Sequence, residues 1–553
     1  MVVRCTKDSF NLIKQSAATD EISAKFNCSP LQALMLEMRG ITSESSTSDV
    51  NEWLSPDLAC LLEKLDLGAE NNKAADLIRG LDPSSNVIVY GDYDVDGISS
   101  TAIAMELVLS RGARVRYYIP HRFNQGYGLH ANVAECIAKK GCDLVIVVDC
   151  GTQDTESINT LRMSGIPVVV FDHHLAEGRI AQCDTLINPQ TGGDLSARKL
   201  CATGVIWSWI WQNELLPRQR LLKMLDVVAL ATVADCVSLT SPLNRALVRA
   251  GLASLRNRPR PGLAELMNRL GISPAVLDTG DLAMKVIPCL NAAGRLYYAD
   301  LAVDILFPTK NLAANVEKLI ALNQRRRELS AKILDSVDQS SGDYKYVLTE
   351  NDWSVGVLSS VASRICAERN TPVALAAAVG DIVRGTLRMP AGGDAVGVLK
   401  ELSPLLNSWG GHRLAAGFSV KSENWDTLRD KMEEMLSYVE VAEEKEDYIY
   451  RTPQSMDMET WNEASRLGPF GMGNPSPVLF SPHNGRMHLM PLGKNGKHLK
   501  VDVGGVYLMA FDAAGMFVNS GDIEGWVYKP RIDTWKNNTY LQFVLEKMVM
   551  RAI

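Results

Sequence analysis

Short β-branched runs that alternate with helical stretches between residues 86 and 172 are the feature that most constrains the fold of this chain. The runs are VIVY, VRYYI, DLVIVVD and PVVVFD, and the segments near 98–110, 130–139 and 154–163 have a helical pattern. Continuous apolar strands separated by helices are typical of a parallel sheet that helices cover on both faces. We therefore predict an α/β fold with a doubly wound parallel sheet. Ligands of such sheets bind beyond the carboxyl ends of the strands.

The rest of the chain divides into segments with different patterns, and 553 residues are too many for a single core. Residues 1–80 are mainly helical by pattern. Residues 311–337 contain no Gly or Pro and have a helical period, which predicts a long helix. A second α/β unit follows at about 342–438, with KYVLTE, PVALAAAV and IVRGTLRM as its strands. Strand and turn signals dominate the last hundred residues and predict a small β-barrel.

Composition excludes some classes of protein. A net charge of −7 argues against a globally basic nucleic-acid-binding protein, although a local basic groove remains compatible with it. The apolar stretch at 227–239 is interrupted by Asp235 and is too short to span a bilayer, and the N-terminus lacks a signal-peptide pattern. We therefore expect a cytoplasmic protein without a membrane segment. Eleven cysteines without a C-x-x-C pair disfavour a zinc knuckle.

The segment GDYDVDG at 91–97 places Asp92, Asp94 and Asp96 at every second position, where their charges repel one another. A calcium-binding loop of the EF-hand type requires a Glu at the twelfth position, which here is Ile103. A strand also precedes the segment where an EF-hand has a helix. A simple turn built on aspartate side chains remains an alternative, so this loop alone does not decide between a turn and a cation site.

Two further apolar strands also end in metal-binding residue types. DLVIVVD ends in Asp149, and VVVF is followed by Asp172, His173 and His174. Because the carboxyl ends of parallel strands meet at one edge of the sheet, we expect these side chains to converge with the first acidic loop. Neighbouring residues on an extended strand point in opposite directions, so the two histidines are expected to have different roles.

Asp235 interrupts the apolar run VALATVADCVSL. Burial of a carboxylate against these apolar side chains costs roughly 2 to 7 kcal/mol of free energy unless a cation or hydrogen-bond donors satisfy it. The alternative is that Asp235 ends its helix at the surface.

Oxygen-rich ligands with one or two imidazoles suit Mn²⁺ or Mg²⁺, and the carboxylates are too many for one ion. A pair of ions about 3.5 to 4 Å apart would neutralise them and activate a water against a phosphodiester.

At this point the chain resembles a known family. YGDYDVDG, VVDCG, FDHH and ATVADCVSL are similar to the four motifs of the DHH phosphoesterase superfamily and, within it, to the RecJ family of bacterial single-stranded-DNA-specific exonucleases. The resemblance continues in the expected order over roughly residues 80–553. The further motifs are PHRFNQGYGL (120–129), NAAGRL (291–296), WSVGVLSSVASRI (353–365), GTLR (385–388), GGHRLAAGF (410–418) and GPFGMGNPSPVL (468–479).

The resemblance implies a DHH catalytic domain over 81–307, a connecting helix over 308–341 and a DHHA1 domain over 342–440 around a central groove. An OB-fold that binds nucleic acid is implied over 448–553. The mainly helical residues 1–80 match the family only loosely, and their role is left open.

The resemblance also implies roles for particular residues. The implied ligands of two Mn²⁺ or Mg²⁺ ions are Asp94, Asp96, Asp149, His173 and Asp235. Asp92 and His174 are implied to support these ligands or the attacking water. Of the implied substrate contacts, Arg122 and Tyr127 lie in the segment that holds the nucleic-acid end, Arg295, Thr386 and Arg388 bind the terminal 5′-phosphate, and His412 faces the scissile region.

Two segments depart from the family pattern. Many relatives have Gly-Ser-x-Arg-Ser, where this chain has Gly385-Thr386-Leu387-Arg388-Met389, which keeps one hydroxyl and loses the second serine. The terminal domain has RIDTWKNN where relatives usually have Asn-x-Trp-x-Gly. We therefore expect altered phosphate binding at the first segment and altered DNA contacts at the second.

The function that the resemblance implies is a single-stranded-DNA-specific exonuclease that acts from the 5′ end, releases mononucleotides and takes part in DNA repair and recombination. Single-strand-binding protein and a helicase are the partners implied. One alternative is a phosphodiesterase of oligonucleotides or cyclic dinucleotides, although such relatives generally lack an OB-fold. Another is a catalytically silent replication scaffold, which predicts gaps among the acidic motifs, and this chain has none.

Overall fold

The structure, a computed structural model, describes residues 3–68, 71–122, 125–176, 178–307, 311–339, 344–441, 445–485, 487–493, 496–513, 515, 522–535 and 538–551. The chain forms two compact units. The first comprises Met1–Leu290, Ala299–Val316 and Lys445–Ile553, and the second comprises Asn291–Tyr298 and Glu317–Glu444. Within the described ranges, none of the helices has both the length and the apolar character that crossing a bilayer requires.

The helices are α1 (Ala17–Phe26), α2 (Pro30–Glu37), α3 (Thr47–Leu54), α4 (Leu58–Glu63), α5 (Asn71–Arg79), α6 (Val95–Ser110), α7 (Ala131–Lys140), α8 (Thr155–Met163), α9 (Ala202–Gln212), α10 (Arg218–Ala234), α11 (Pro242–Asn257), α12 (Pro261–Arg269), α13 (Thr279–Asp281), α14 (Ile287–Leu296), α15 (Asp300–Leu306), α16 (Leu312–Gln339), α17 (Val355–Arg369), α18 (Ala395–Glu401), α19 (Trp425–Ser437) and α20 (Met458–Ser465). The strands are β1 (Val3–Thr6), β2 (Phe10–Ile13), β3 (Asn86–Tyr90), β4 (Arg114–Tyr118), β5 (Leu144–Val148), β6 (Val168–Phe171), β7 (Thr185–Ile187), β8 (Val347–Thr349), β9 (Val373–Val379), β10 (Ile382–Arg388), β11 (Ser408–His412), β12 (Ala415–Lys421), β13 (Glu446–Tyr450), β14 (Leu479–Pro482), β15 (His488–Leu492), β16 (His498–Asp502), β17 (Tyr507–Ala510), β18 (Ile523–Trp535) and β19 (Asn538–Met550).

The predicted parallel sheet is confirmed, with the strand order β4-β3-β5-β6-β7 and every pair parallel. All five residues of β5 are buried, as expected for a strand that is covered on both faces. Valines of β5 and β6 pack against α7 and α8, while α6 and α9 also contact the strands. The chain passes from β3 to β4 on one side and then returns to β5 on the other. Ligands of doubly wound sheets bind at such a switch point, here between β3 and β5.

A second sheet combines the C-terminal strands with β1 and β2. Its order is β15-β16-β17-β19-β18-β14-β13-β2, and β1 pairs in parallel with β19. The sequence pattern predicts a mainly helical segment over residues 1–80 and gives no sign of these two strands. Phe10 of β2 accounts for part of the pairing because its ring packs against the rings of Tyr448 and Phe480, with centroids 4.6 and 5.6 Å apart.

The helices of the N-terminal segment also pack onto the C-terminal strands. Leu31 and Met35 of α2 belong to the same buried cluster as Trp461 and Trp526. The pattern of α2 alone could not show this contact, because its partners lie more than four hundred residues along the chain. Buried residues between Ile22 and Val50 are therefore part of the same core as the C-terminal sheet.

The second unit has a mixed sheet with the order β11-β12-β10-β9-β8, in which β8 and β9 are parallel and the other pairs are antiparallel. The three strands predicted for this region lie where the sequence placed them. The predicted long helix is α16, and its residues Ile333 and Val337 pack against α17 and β9.

Candidate metal centre

The acidic loop after β3 is a tight strand-to-helix turn. Asp94 caps α6, and its Oδ1 accepts hydrogen bonds from the backbone N–H groups of Asp96 at 2.9 Å and Gly97 at 3.1 Å. Gly97 is required because a Cβ at this position would lie 2.4 Å from the carbonyl oxygen of Asp92. The three aspartates are therefore held close together at the carboxyl end of β3.

Asp149 follows β5 with a φ of 61°, in the left-handed region that residues other than glycine rarely adopt. Its backbone N–H donates to the carbonyl oxygen of Phe171 at 2.9 Å, which ties it to the neighbouring strand. Holding a non-glycine residue in this conformation costs on the order of 1 to 3 kcal/mol. Such a cost is typical of residues whose orientation is set by function, and here it directs the carboxylate toward the acidic loop.

The two histidines after β6 have different nearest partners, although they do not point in opposite directions as predicted, since their ring centroids lie 4.5 Å apart. The Nε2 atom of His173 lies 3.4 Å from Asp149 Oδ1, 3.8 Å from Asp96 Oδ2 and 3.7 Å from Asp235 Oδ2. His174 instead directs Nδ1 toward Asp172 Oδ1 at 2.8 Å. His173 thus lies close to three carboxylates. The shortest contact of His174 is with Asp172, and Asp149 Oδ1 lies 4.0 Å from its Nδ1.

Helix ends position two more carboxylates. Asp96 lies at the N-terminus of α9, where its oxygens accept hydrogen bonds from the N–H groups of Ala202 at 2.7 Å and Thr203 at 2.9 Å. The positive end of the helix dipole stabilises its charge. Asp235 ends α10, as one of the two interpretations of the sequence predicts, but it is three-quarters buried and faces His173. Asp235 therefore ends its helix, as one interpretation of the sequence predicts, and its carboxylate is also largely buried, as the other predicts.

The possible ligand atoms form three overlapping groups, and within each group they lie within 4.8 Å of one another. Asp149 belongs to two of these groups and His173 also belongs to two. The groups are Asp92, Asp94 and Asp149; Asp149, His173 and His174; and Asp96, His173 and Asp235. Shared members are what a pair of ions bridged by common ligands requires. All of the predicted cluster residues are brought together.

The electrostatics of this cluster are unfavourable without a cation. Burial, followed by the charges of neighbouring carboxylates, raises the pKa of Asp92 and of Asp149 well above the ordinary value. Burial and the charge of Asp96 raise the pKa of Asp235 to about 8. Burial lowers the pKa of His173. The raised values reflect negative charge that is confined away from water, and a bound cation would offset it. The lowered value favours the neutral imidazole, which is the form of histidine that binds a metal.

Unpartnered polar atoms test whether a divalent ion fits. Asp92 Oδ1, Asp149 Oδ1 and His173 Nε2 are buried and have no hydrogen-bond partner among the described residues. Buried polar atoms normally have a partner, so three such atoms in one cluster point to a missing ligand. The donor set of carboxylate oxygens with one or two imidazole nitrogens fits Mn²⁺ or Mg²⁺.

A hydrogen-bond network behind His174 was only partly anticipated from the sequence. Asp172 was recognised at the strand end, but Thr152 and Asn188 were missed. Thr152 Oγ1 donates to Asp172 Oδ2 at 2.6 Å and accepts from Asn188 Nδ2 at 2.9 Å. Asn188 Nδ2 also donates to the carbonyl oxygen of His174 at 2.9 Å. The Asn-Pro pair directly after β7 was the available signal, because it marks another strand end at the same edge.

This network fixes the charge state of His174. Burial lowers its pKa, but the hydrogen bond and charge of Asp172 outweigh burial and raise the pKa to about 9. Burial likewise opposes ionisation of Asp172, yet the hydrogen bonds from His174 and Thr152 hold the pKa of that carboxyl well below its usual range. Both shifts favour an ion pair between the buried Asp172 carboxylate and the partly exposed His174 ring at neutral pH.

The segment predicted to hold the nucleic-acid end borders this cluster. The Tyr127 ring is half exposed, whereas its hydroxyl lies 3.0 Å from His174 Nδ1 and donates to the carbonyl oxygen of Asp149 at 3.2 Å. The Arg122 guanidinium stacks over the Tyr93 ring, 4.8 Å from its centroid. Both predicted residues thus contact elements that carry the acidic cluster.

The remaining predicted residues, Arg295, Thr386, Arg388 and His412, belong to the second unit. Arg388 Nη1 donates to Thr386 Oγ1 at 2.7 Å, and its Nε donates to Ser363 Oγ of α17 at 2.8 Å. Leu296, next to Arg295, packs against the cluster that includes α17. His412 is exposed at the end of β11. The structure thus pairs Thr386 with Arg388, and two serines of α17, Ser359 and Ser363, accept hydrogen bonds from the guanidinium.

Three protein-family models match separate parts of this chain. Residues 86–232 match the model of the DHH family N-terminal domain, residues 342–438 that of the DHHA1 domain, and residues 450–547 that of the RecJ OB domain. The chain is 31% identical to the single-stranded-DNA-specific exonuclease RecJ of Dickeya dadantii over 487 residues, which cover 81% of this chain and 84% of that protein. This chain belongs to the RecJ family.

Other members of the RecJ family agree with this assignment. The RecJ of Salmonella typhimurium is 30% identical, with 87% of this chain and 90% of that protein covered. The RecJ of Bacillus subtilis is 27% identical, and the match spans only 62% of its length.

Solved RecJ structures share the fold and contain the expected ions. The structure of Thermus thermophilus RecJ in complex with Mn²⁺ has a TM-score of 0.80 and 26% identity, covering 99% of this chain and 81% of that one. The complex of the same protein with Mg²⁺ has a TM-score of 0.74 and 25% identity, with 99% and 80% covered. Mn²⁺ and Mg²⁺, the ions in these two structures, are also the ions that the donor set of this RecJ-family chain fits.

Proposed function

We propose that this RecJ-family chain is a divalent-metal-dependent exonuclease that degrades single-stranded DNA from the 5′ end and releases 5′-mononucleotides. The observation that carries the proposal is the buried cluster of carboxylates and imidazoles at the switch point, with three polar atoms that lack partners among the described residues. The names of the relatives supply the substrate class. The proposal includes a role in DNA repair and recombination and a cytoplasmic location.

The residues proposed to hold two Mn²⁺ or Mg²⁺ ions are Asp94, Asp96, Asp149, His173 and Asp235. Such ions, when bound, lower the pKa of a water and neutralise charge on a phosphodiester. Asp149 belongs to two of the ligand groups and is the proposed shared ligand. Its backbone is fixed by the strand pairing and by the left-handed conformation described above, so its carboxylate is oriented before any ion binds.

Asp92 and His174 are proposed to act beside these ligands. The Asp172 carboxylate accepts a hydrogen bond from His174 Nδ1 and orients the ring. A ring oriented in this way can donate from its other nitrogen to a phosphate on which negative charge develops. Asp92 has a buried Oδ1 without a partner in the described part of the chain, which suits an acceptor for a water proton.

The second unit is proposed to bind the terminal 5′-phosphate. Arg388 is oriented by Thr386 and Ser363, and a guanidinium fork binds two phosphate oxygens at once. The serine from α17 provides a hydroxyl near the guanidinium, although the strand itself lacks the second serine of the family pattern. Arg295 and His412 complete this proposed set by their positions in the family motifs.

The C-terminal sheet is proposed to bind the incoming strand. Tyr507, Phe511 and Tyr540 are exposed, and Lys500 Nζ lies 3.7 Å from the centroid of the Tyr507 ring. Stacking of bases on aromatic rings contributes roughly 1 to 3 kcal/mol per base. The departure RIDTWKNN includes Lys536 and Asn537, which lie outside the described residues. Single-strand-binding protein and a helicase are proposed partners on the family resemblance alone.

Digestion of end-labelled DNA tests this function. Single strands and duplexes, with and without a 5′-phosphate, are incubated in Mn²⁺ or in EDTA, and a dinucleotide serves as a further substrate. We expect mononucleotides from the 5′ end of phosphorylated single strands in Mn²⁺ and none in EDTA. Faster hydrolysis of the dinucleotide would instead indicate an oligonucleotide phosphodiesterase. A chain that binds Mn²⁺ but degrades none of these substrates would contradict the proposal.

A further inference from the structure

The segment GPFGMGN, residues 468–474, has no part in the mechanism proposed above, yet it is a rigid turn. We call it the GMGN turn. The N–H of Gly471 donates to the carbonyl oxygen of Asn474 at 2.9 Å, and the N–H of Asn474 donates back at 3.0 Å. The Asn474 side chain is fully buried and donates to the carbonyl oxygens of Leu467 and Pro469 at 3.0 and 2.9 Å. The turn is therefore closed by its own backbone and by one internal amide.

The GMGN turn packs against residues 236–240, the loop that directly follows Asp235, which we call the Asp235 loop. The N–H of Leu239 donates to the carbonyl oxygen of Met472 at 2.7 Å. A Cβ at Gly471 would lie 2.8 Å from Cδ1 of the buried Leu239. The backbones of the two segments are thus in direct contact, with no space for a side chain at this position.

Gly473 makes a second close approach to the Asp235 loop. Its φ is +72°, and a Cβ there would lie 2.8 Å from Ser238 Oγ and 3.0 Å from Thr240 Cγ2. Glycine is needed at this position for two reasons, because other residues rarely adopt such a backbone conformation and because the space is filled.

The opposite side of the Asp235 loop is fixed by α11. The Arg245 side chain is fully buried, and its Nη1 donates to the carbonyl oxygens of Leu239 at 2.8 Å and Thr240 at 2.9 Å. Hydrogen bonds from a charged donor are stronger than those between neutral groups. The Asp235 loop is therefore held between a buried guanidinium and the GMGN turn.

The GMGN turn is itself anchored from both neighbouring regions. Thr279 Oγ1 donates to the carbonyl oxygen of Phe470 at 2.6 Å, and Arg249 of α11 donates to the carbonyl oxygen of Gly468. From the N-terminal helices, Arg39 Nε and Nη2 donate to Asn474 Oδ1 at 2.9 and 2.7 Å. These four hydrogen bonds hold the GMGN turn in place beside the Asp235 loop.

We infer that the GMGN turn is a positioning element for Asp235, through which the C-terminal domain supports the metal centre in addition to any contact with DNA. The inference rests on the proposed function, because it takes Asp235 as a ligand. Partners behind a ligand typically change metal affinity by about 10- to 100-fold when they are removed. A shift of the Asp235 loop would move a carboxylate that now lies 3.7 Å from His173 Nε2.

Two glycine variants with equal backbone strain test the inference. Gly473→Ala pushes on the Asp235 loop, whereas Gly485→Ala, at a φ of +82° with nothing within 4 Å, introduces the same strain without a neighbour. In the full chain, we expect Gly473→Ala to weaken Mn²⁺ binding about tenfold in a calorimetric titration. The Mn²⁺ concentration for half-maximal digestion should rise by a similar factor while the KM for single-stranded DNA stays unchanged. Excess Mn²⁺ should restore turnover, and Gly485→Ala should bind Mn²⁺ as the wild type does.

A second variant guards against misfolding of the first. Gly471→Ala displaces Leu239 without introducing a left-handed alanine, and we expect it to weaken Mn²⁺ binding in the same direction. Wild-type Mn²⁺ affinity in a folded Gly473→Ala or Gly471→Ala protein would overturn the inference alone. A wild-type chain that binds no Mn²⁺ would overturn the proposed function and this inference with it.

Discussion

The Nε2 atom of His173 lies 3.4 Å from Oδ1 of Asp149, and neither buried atom has a hydrogen-bond partner within the described ranges. The two residues follow adjacent parallel strands, β6 and β5, so their proximity is a direct consequence of the sheet order. A ring nitrogen and a carboxylate oxygen that face each other across a buried space suit a cation that both bind.

Replacing Asp149 by Asn should separate activity from stability. Asn tolerates the left-handed backbone, so the fold should persist, but the amide removes one negative charge and a shared ligand. We expect at least about 100-fold slower digestion, because a direct ligand is lost and not merely its support. The melting temperature in EDTA should not fall, since a destabilising buried charge is gone. Asp512→Asn, at another left-handed aspartate with a φ of 51°, is the control and should leave both unchanged.

Metal-free stability should decrease with rising pH. The pKa of Asp235 is about 8 in the folded chain and 3.8 in its ordinary state, so the folded form binds the proton more tightly. Its stabilising contribution is complete below about pH 4 and is lost as the pH rises through about 8. We expect the melting temperature in EDTA to fall between pH 6 and pH 9 and to fall less in Asp235→Asn. Exposed Asp335→Asn is the control, and an unchanged pH slope in Asp235→Asn would contradict this account.

Thr152→Val should impair turnover without unfolding the chain. The substitution keeps the shape of the side chain but removes the hydroxyl that donates to Asp172 and accepts from Asn188. The orientation of His174 should then be less well fixed, and we expect kcat to fall about tenfold with little change in KM. Thr152→Ser should retain most of the activity because it keeps the hydroxyl. Thr160→Val, on the exposed side of α8, provides the steady-state kinetic control.

Arg388→Lys should affect recognition of the 5′ end and leave metal binding intact. Lysine has three donors on one nitrogen, too few to replace the hydrogen bonds of the guanidinium to Ser359, Ser363, Thr386 and the carbonyl oxygen of Leu387 and also to bind a phosphate. We expect the KM for 5′-phosphorylated single strands to rise about tenfold, while the KM for strands with a 5′-hydroxyl changes little. Arg369→Lys, at the end of α17, should alter neither. Equal loss on both substrates would argue against a phosphate-binding role.

The sequence was sufficient to predict the parallel sheet and the group of residues at its edge. Apolar runs such as β5 and β6 have a local signature, and the carboxyl ends of parallel strands meet at one edge whatever the loops do. For this reason the sequence alone predicts that Asp92, Asp149 and His173 lie close together. The alternation of side chains along an extended strand predicted that His173 and His174 point in opposite directions. This was wrong, because both residues follow the end of β6 and their ring centroids lie 4.5 Å apart.

Features that depend on contacts distant in sequence could not be predicted. The α9 N–H groups that hold Asp96 come from residues more than a hundred positions later. The β1 and β2 strands are each four residues long, and their partners are near the other end of the chain. The left-handed conformation of Asp149 has no marker in its own sequence, since aspartate is not glycine. The support that the GMGN turn gives to the Asp235 loop likewise appears only in the folded structure.

The number of Mn²⁺ ions bound per chain tests the central claim most directly. Equilibrium dialysis of the metal-free protein against Mn²⁺ at pH 8, with the wild type and Asp149→Asn side by side, gives this number. The account predicts two ions per wild-type chain and fewer than two in the variant, because the shared carboxylate is lost. Binding of no ion by the wild type, or equal binding by both proteins, would contradict it.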